Sequence, residues 1–384
     1  MKKNFKFLIL ILITFLLNHT YSISSENKIK IGLLVPLTGD NKKLGELIIK
    51  STRMALEDIN GDNIEIYPKD TGSDPNQTIE SAKKLNEIGV KIVIGPIFYK
   101  NLEYLDEFQN ITFLSLTNRT LNLPKNIISS GVNSTSQLNT IKKFLKENDI
   151  KKVIFLTPKL EYENEIKKSI QQSKIKIEKH YIYDTEPTKL TEQIEKITNY
   201  RIRKQNLEDE IKRVENSELP DKEKRVEILN RKYTIGDVNF NSIIISDFDE
   251  SLKSVITSFL YTDVSPKNKY IITFNQWFDE SLILEETIQP LYYPSINKKN
   301  LEDFEKKFFS KYKEIPNHLS LLSYDLIGLV YYLSLKDELS NPDKLFKKKN
   351  SFKGKIGIFE IKDNKINHKL NFYKIENKKI KEIF

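Results

Sequence analysis

The 384-residue chain contains no cysteine. Without thiols it forms no disulfide, no thiolate nucleophile and no cysteine-ligated zinc site, and no lipid can be attached to a mature N-terminal cysteine. Histidine is scarce too, because the chain has only four, namely His19, His180, His318 and His368. None of them has a partner at the i, i+4 spacing of a metal-binding helix. We therefore predict no metal site and no other cofactor.

Recognised catalytic motifs are missing as well. Nothing matches Gly-x-Ser-x-Gly, the turn that presents a hydrolase serine. The segment Gly39–Gly45 is one residue too long for a phosphate-binding loop and lacks the Lys-Ser/Thr pair that reaches phosphate and magnesium. Carboxylates are numerous, but no pair stands apart in apolar surroundings that would tune its proton affinity. We predict a protein that is not an enzyme and assign no catalytic residue.

Only the N-terminus has a long continuous apolar run, from Phe7 to Leu17, and three lysines precede it. Small and polar residues follow as far as Ser22. A membrane span needs about 20 apolar residues, so a transmembrane anchor is the weaker interpretation. Residues 1–22 are typical of a cleaved signal peptide. We expect a soluble mature protein in the periplasm, with no lipid anchor.

The charge is basic but balanced, with 62 Lys and Arg against 53 Asp and Glu. No basic run is interleaved with stacking aromatics, which is the usual footprint of a nucleic-acid-binding protein. A generally lysine-rich surface explains the excess, and we expect no nucleic-acid partner.

Strand and helix patterns alternate along the chain, beginning with the apolar strand Lys30–Val35. This alternation is typical of parallel βαβ units, and the length favours two separate cores. We predict an α/β protein of two Rossmann-like lobes with parallel sheets, between which the chain crosses repeatedly. The predicted first lobe comprises residues 28–135 and 270–345, and the second comprises residues 136–269 and 350–384.

Residues 191–232 do not fit this alternation. Leu207, Ile211 and Val214 form a narrow apolar seam in an otherwise charged sequence that is broken at Pro220. We predict a charged helical hairpin inserted in the second lobe. Its mixed charges suit a solvated pair of helices, and they also suit an arm that docks on a partner. The sequence leaves both readings open.

Three loops are candidates for ligand binding, because open α/β sheets bind ligands beyond the carboxyl ends of their strands. They are Pro36–Gly39, Gly95–Tyr99 and Ser115–Asn118, and each contains hydroxyl, glycine or aromatic residues. Each loop taken alone is equally consistent with an ordinary turn or helix cap.

Several motifs together resemble a known superfamily. Lys30–Gly39, Ala55–Asn60 and Ile94–Pro96 resemble the opening of branched-chain amino-acid-type periplasmic binding proteins. Ser320–Asp325 and Phe352–Phe359 are similar to motifs of the penicillin-binding-protein activator group in that superfamily. The resemblance implies the type I periplasmic-binding-protein fold, with a ligand cleft between the lobes.

The resemblance also implies which residues line that cleft. By position they are Thr38, Phe98, Tyr99, Thr117, Asn118, Tyr162, Gln276 and Trp277. The serine- and threonine-rich group that binds the ligand carboxylate in those proteins corresponds to Phe98, Tyr99 and the Thr117–Asn118 region, and we expect its hydroxyl to be lost. In those proteins an acidic side chain pairs with the ammonium of the ligand. The corresponding position here is Asn275 or Gln276, and both have an amide in place of a carboxylate. We therefore expect that ordinary amino-acid capture is impaired.

Two functional hypotheses follow from the resemblance. The first is a non-catalytic regulator of peptidoglycan synthesis that contacts a penicillin-binding protein through its lobes or its hairpin. The second is the solute-binding component of an ABC importer, with an ABC permease as partner and a small molecule in the cleft. A sensory ligand-binding protein is a third reading, which would need a separate membrane partner.

Overall fold

The computed structural model describes residues 28–335 and 346–384 of the chain. The predicted signal peptide, residues 1–22, lies outside the described residues. The strands are β1 Ile29–Val35, β2 Ile64–Asp70, β3 Ile92–Ile94, β4 Thr112–Ser115, β5 Ile127–Ser129, β6 Val153–Pro158, β7 Lys179–Tyr183, β8 Ser242–Ile245, β9 Tyr270–Thr273, β10 Leu291–Ser295, β11 Asn350–Lys353, β12 Ile358–Lys362, β13 Lys365–Lys369, β14 Asn371–Glu376 and β15 Lys379–Glu382. The α-helices are α1 Lys42–Asp58, α2 Pro75–Glu87, α3 Ser134–Glu147, α4 Glu163–Ser173, α5 Pro187–Ile197, α6 Tyr200–Glu215, α7 Lys222–Asn230, α8 Asp249–Tyr261, α9 Glu280–Leu284, α10 Lys298–Tyr312 and α11 His318–Ser334.

The first lobe is built on a five-stranded parallel sheet in the order β2-β1-β3-β4-β5. Its central strands are apolar throughout because helices cover both faces of the sheet. On one face α1, α10 and α11 contribute to a single core with residues such as Ile31, Leu326 and Phe304, all of them buried. On the other face α2 packs through Ala82 and Leu85.

The second lobe is built on a seven-stranded sheet in the order β15-β14-β10-β9-β8-β6-β7. The pairs β10–β14 and β14–β15 are antiparallel, and the other pairs are parallel. Helices cover both of its faces, with Phe144 of α3 in one core and Phe259 of α8 in the other. The predicted α/β architecture of two lobes with largely parallel sheets is confirmed.

A small antiparallel sheet, β11-β12-β13, packs on the first lobe. Phe359, Ile361 and Ile366 point into the same core as α11. Asp325 of α11 fixes the connection between β11 and β12, because its carboxylate accepts the backbone N–H groups of Lys355 and Ile356 at 2.8 and 2.7 Å. The two late sequence motifs therefore form one structural unit.

The lobe boundaries differ from the predicted ones. Residues 270–295, expected in the first lobe, form β9 and β10 of the second sheet. Residues 350–369, expected in the second lobe, form the small sheet of the first. Short apolar strands look alike in sequence, and only their hydrogen-bonded neighbours decide which sheet they join. The described chain crosses between the lobes after β5, after β10 and after β13.

Residues 200–230 form the two helices α6 and α7, which pack on each other. Leu207, Val214 and Leu229 are buried in a small cluster separate from the second-lobe core. Arg203 joins α6 to the lobe, since its guanidinium donates hydrogen bonds to Gly236 O, Thr262 O and Thr234 Oγ1. None of the helices in the described part of the chain is both long and apolar enough to cross a membrane.

Candidate ligand cleft between the lobes

A cavity of about 510 Å³ lies between the two lobes. It is lined by Ile97, Phe98, Tyr99, Lys100, Leu116, Thr117, Asn118, Arg119, Gly131, Val132, Gln137, Glu161, Phe248, Asn275, Trp277, His318, Leu319, Leu322 and Ile356. The loops that follow β3, β4 and β9 supply most of this lining. These are carboxyl ends of parallel strands, where open α/β sheets commonly bind ligands.

Five of the sequence-predicted residues lie together in this lining, namely Phe98, Tyr99, Thr117, Asn118 and Trp277. Sequence reasoning missed Gln137, Phe248 and His318, which also line it. No motif surrounds these three residues. Their only signal is their position at or near the start of α3, α8 and α11.

The predicted residues Thr38 and Tyr162 do not line the cavity. Thr38 Oγ1 donates a 2.5 Å hydrogen bond to Asp70 Oδ2 and so ties the first loop to the end of β2. Tyr162 OH donates to Ser246 O at 3.3 Å and stays within the second lobe. Burial near Asp247 raises the pKa of Tyr162. Both hydroxyls are thus committed to internal contacts.

Gln276 does not line the cavity either. It is buried, and its Nε2 donates to Asp247 O at 3.0 Å and to Thr273 Oγ1 at 3.1 Å. The neighbouring Asn275 does line the cavity, but its Oδ1 accepts hydrogen bonds from Trp277 N and Ser295 Oγ at 2.9 and 2.7 Å. The position expected to hold a ligand ammonium therefore presents no carboxylate.

Trp277 forms an aromatic wall of the cavity. Its ring stacks on His318 with 4.3 Å between the ring centroids. Trp277 and Phe278 have φ values of +48° and +61°, in the left-handed region that bulky residues rarely adopt. Such a conformation costs roughly 1–3 kcal/mol per residue and must be held by its surroundings. Here both side chains pack against the first-lobe core, which holds the loop in place.

Burial lowers the pKa of His318 to about 4. The imidazole is therefore neutral near pH 7 and contributes an apolar face to the cavity. The charged groups of the lining are Lys100, Arg119 and Glu161. Arg119 lies over the Tyr99 ring at 5.0 Å and donates to Glu161 Oε2 at 3.1 Å, so this pair bridges the mouth of the cleft.

A second bridge between the lobes is buried. Glu165 of α4, only 6% exposed, reaches the loop that follows β4 in the first lobe. Its carboxylate accepts the N–H and Oγ1 of Thr120 at 3.0 and 2.5 Å and the N–H of Leu121 at 3.0 Å. Hydrogen bonds to a charged group are the stronger kind. We call this contact the interlobe latch.

The match to a family and the matches to solved structures agree with this geometry. Residues 28–197 match a family model described as periplasmic binding protein. A search of the curated proteins finds no match. Among solved structures, the C-domain of LpoA from Haemophilus influenzae, a regulator of PBP1A, has a TM-score of 0.60 at 13% identity, over 92% of this chain and 100% of that one. The chain has the type I periplasmic-binding-protein fold.

Solved substrate-binding proteins share this type I fold. The branched-chain amino acid transporter substrate-binding protein LivJ from Streptococcus pneumoniae, in complex with isoleucine, matches with a TM-score of 0.52 at 17% identity, over 92% of this chain and 98% of that one. An ABC transporter substrate-binding protein from Desulfitobacterium hafniense, in complex with Leu, has a TM-score of 0.59 at 13% identity, over 93% of this chain and 100% of that one. At these identities the likeness is one of fold.

His318→Phe should make the protein less sensitive to acid. The folded-state pKa of His318 is about 4 against an ordinary 6.5, so below pH 6.5 protons bind the unfolded chain first. The wild type therefore loses free energy of unfolding as the pH falls from 6.5 to 4, by up to about 3 kcal/mol from this group. Phe keeps the stacking on Trp277 and removes this loss. Urea denaturation from pH 6.5 to pH 4 measures the free energy of unfolding of both proteins. Equal pH dependence in the wild type and the variant would refute the lowered pKa of His318.

Glu165→Gln should weaken the interlobe latch. A Gln side chain turns an NH₂ group toward backbone N–H donors, so at least one hydrogen bond to Thr120 or Leu121 is lost. We expect a loss of about 2 kcal/mol in the free energy of unfolding and a larger radius of gyration by small-angle X-ray scattering. The control is Glu161→Gln, because Glu161 is 86% exposed and its ion pair contributes little. Equal effects of the two variants would contradict a specific role for Glu165.

Proposed function

We propose that the chain is a periplasmic, non-catalytic protein that regulates peptidoglycan synthesis by contacting a penicillin-binding protein. The observation that carries this proposal is the cleft, where Asn275 and Gln276 replace a ligand-pairing acid. The side-chain oxygen of Asn275 already accepts two internal hydrogen bonds, and the NH₂ of Gln276 donates to Asp247 O. The similarity in fold to a regulator of PBP1A also supports a regulatory function. The periplasmic location rests on the predicted signal peptide and on the family match of residues 28–197.

The electrostatics of the cleft favour this reading over amino-acid capture. A buried ammonium without a partner costs several kcal/mol, so a zwitterion needs both of its charges matched. Among the lining residues Glu161 is the only carboxylate, and it is paired with Arg119. A carboxylate of a ligand has Arg119 and Lys100 nearby, but an ammonium has nothing comparable.

The interlobe latch supports a role that does not depend on a ligand. In a solute-binding protein the ligand bridges the lobes and shifts them toward the closed state through its differential affinity. Here Glu165 makes bonds of its own between the lobes. Two lobes linked by their own side chains offer a constant surface to a protein partner.

We assign the docking surface to the pair of helices α6 and α7. Their apolar seam is internal to the pair, so their outer faces are free of core packing. Those faces have charges of both signs, and the exposed Ile202, Ile228 and Tyr233 lie on or beside them. Aromatic and aliphatic anchors within a charged rim are typical of protein interfaces.

The second candidate function is solute binding for an ABC importer. The cavity of about 510 Å³ with aromatic walls favours it, because this size and lining suit a small molecule. In this case Phe98, Tyr99, Thr117, Asn118 and Trp277 contact the ligand.

A thermal-shift screen against free amino acids and short peptides separates the two functions. We expect no ligand to raise the melting temperature, because the cleft has no partner for an ammonium. A ligand at a hundredfold excess over its Kd would add about 2.7 kcal/mol, a shift of a few degrees. A saturable micromolar hit that is lost in Trp277→Ala and kept in Phe309→Ala, a change at an exposed site, would establish solute binding instead.

Excision of the helix pair tests the docking surface. Residues 208–228 are replaced by a short Gly-Ser linker, which retains Arg203 and its three hydrogen bonds to the lobe. We expect the full chain to bind a purified bifunctional penicillin-binding protein of the same bacterium and to raise its rate of glycan polymerisation. The excised variant should keep its fold and bind about tenfold more weakly or worse, because it loses Ile228 and most of the charged outer faces of both helices.

The control for this excision reverses two exposed charges on α2, Lys83→Glu and Lys84→Glu, far from α6 and α7 in the first lobe. Binding as tight after excision as before would remove the helix pair from the docking surface. Failure of the full chain to bind the synthase or change its rate would reject the regulatory function.

A further inference from the structure

A groove of about 750 Å³ lies apart from the interlobe cleft. It runs between the β4–β5 connection of the first lobe, helix α4 of the second lobe and the turn that joins β12 to β13. Its lining includes Lys125, Lys168, Lys347, Lys365, Gln172 and Asn367. We call it the basic groove.

The lysines of the groove have no acidic partners. Lys125, Lys168 and Lys365 form no ion pair with any described residue, whereas Lys28, Lys167 and Lys369 do. The groove also contains Asp106 and Asp363, but neither contacts these three ammonium groups. The lining has four lysines against two aspartates, so its formal net charge is positive.

The basic character extends beyond the groove. Residues 346–369, which form the small sheet and its leading segment, contain eight lysines and two acids. That excess of six is most of the formal charge of +9. A local excess of positive charge attracts anions and raises their local concentration.

Two amide side chains also line the groove, and the NH₂ group of each lacks a hydrogen-bond partner among the described residues. Gln172 Oε1 accepts a hydrogen bond from Thr135 Oγ1 at 3.0 Å, and its NH₂ has no partner among the described residues. Asn367 Oδ1 accepts from Asn133 Nδ2 at 3.3 Å, and its NH₂ is likewise unpartnered in the described chain. Each oxygen is held by the protein, so each NH₂ is oriented to donate.

We propose that the basic groove binds an acidic oligosaccharide. Its carboxylates would pair with Lys125, Lys168 and Lys365, and its hydroxyls would accept hydrogen bonds from Gln172 and Asn367. The mixture of ammonium and amide donors fits a chain that has both carboxylates and hydroxyls. The concave shape fits a chain and not a flat bilayer. This site is separate from the cleft and from α6 and α7, so it stands whether or not the regulatory function is correct.

The test is isothermal titration calorimetry of the full chain with hexagalacturonate, with neutral cellohexaose as the matched probe. We expect saturable binding of hexagalacturonate that weakens as salt is added, and no binding of cellohexaose. The triple variant Lys125→Gln, Lys168→Gln, Lys365→Gln should bind about tenfold more weakly or worse, because three ion pairs are lost. The control triple Lys83→Gln, Lys84→Gln, Lys306→Gln has the same net charge and should bind within about twofold of wild type.

The amides provide the second measurement. Gln172→Leu should weaken hexagalacturonate several-fold, because the amide loses its hydrogen bond to a sugar oxygen, and inorganic polyphosphate should bind the wild type more weakly than hexagalacturonate does. Polyphosphate bound as tightly as hexagalacturonate, with no effect of Gln172→Leu, would show a general anion surface and overturn the proposal. Absence of hexagalacturonate binding, equal losses in the two triple variants, or binding of phosphatidylglycerol vesicles in its place would overturn it as well.

Discussion

The buried carboxylate of Glu165 links the two lobes, and the shape of the cleft depends on it. A carboxylate at 6% exposure needs its acceptor sites filled, and here the N–H groups of Thr120 and Leu121 fill them. Those residues belong to the loop that also supplies Thr117, Asn118 and Arg119 to the cavity. The position of that loop, and with it one wall of the cleft, therefore depends on a side chain of the opposite lobe.

A second buried carboxylate organises the first lobe. Asp325 is 2% exposed and accepts two backbone N–H groups from the connection between β11 and β12. Burial raises the pKa of Asp325 to about 6 even though these hydrogen bonds favour its ionised form. Gly354 is required beside it, because a Cβ there would lie 2.4 Å from Asp325 Oδ2. This contact holds the small sheet, and with it Lys365 and Asn367 of the basic groove, against the first lobe.

Charge is distributed unevenly between the two cavities. The interlobe cleft has aromatic walls, a neutral His318, several uncharged polar residues and one bridging ion pair, so few charges face its interior. The basic groove has unpaired lysines and free amides, with no aromatic residue in its lining. Cavities of such different chemistry suit different classes of ligand, which is why we treat them as separate sites.

The sequence by itself determined the α/β class, the strands that begin the chain and five residues of the cleft. The strands could be predicted because a continuous apolar run between helices is stable when it is buried inside a parallel sheet. The cleft residues could be predicted because the loops that follow such strands converge at one edge of the sheet. The placement of Thr38, Tyr162 and Gln276 could not be predicted in this way, since each side chain turns to an internal partner that lies far away in sequence or across a turn.

Only the tertiary structure decided which sheet β9, β10 and the small sheet join, how Glu165 reaches Thr120, and that Lys125, Lys168 and Lys365 share one groove. The physical reason is the same in each case. These features depend on contacts between residues that are distant in the chain. Hydrophobic periodicity and local motifs contain no information about which distant residue a strand or a carboxylate contacts.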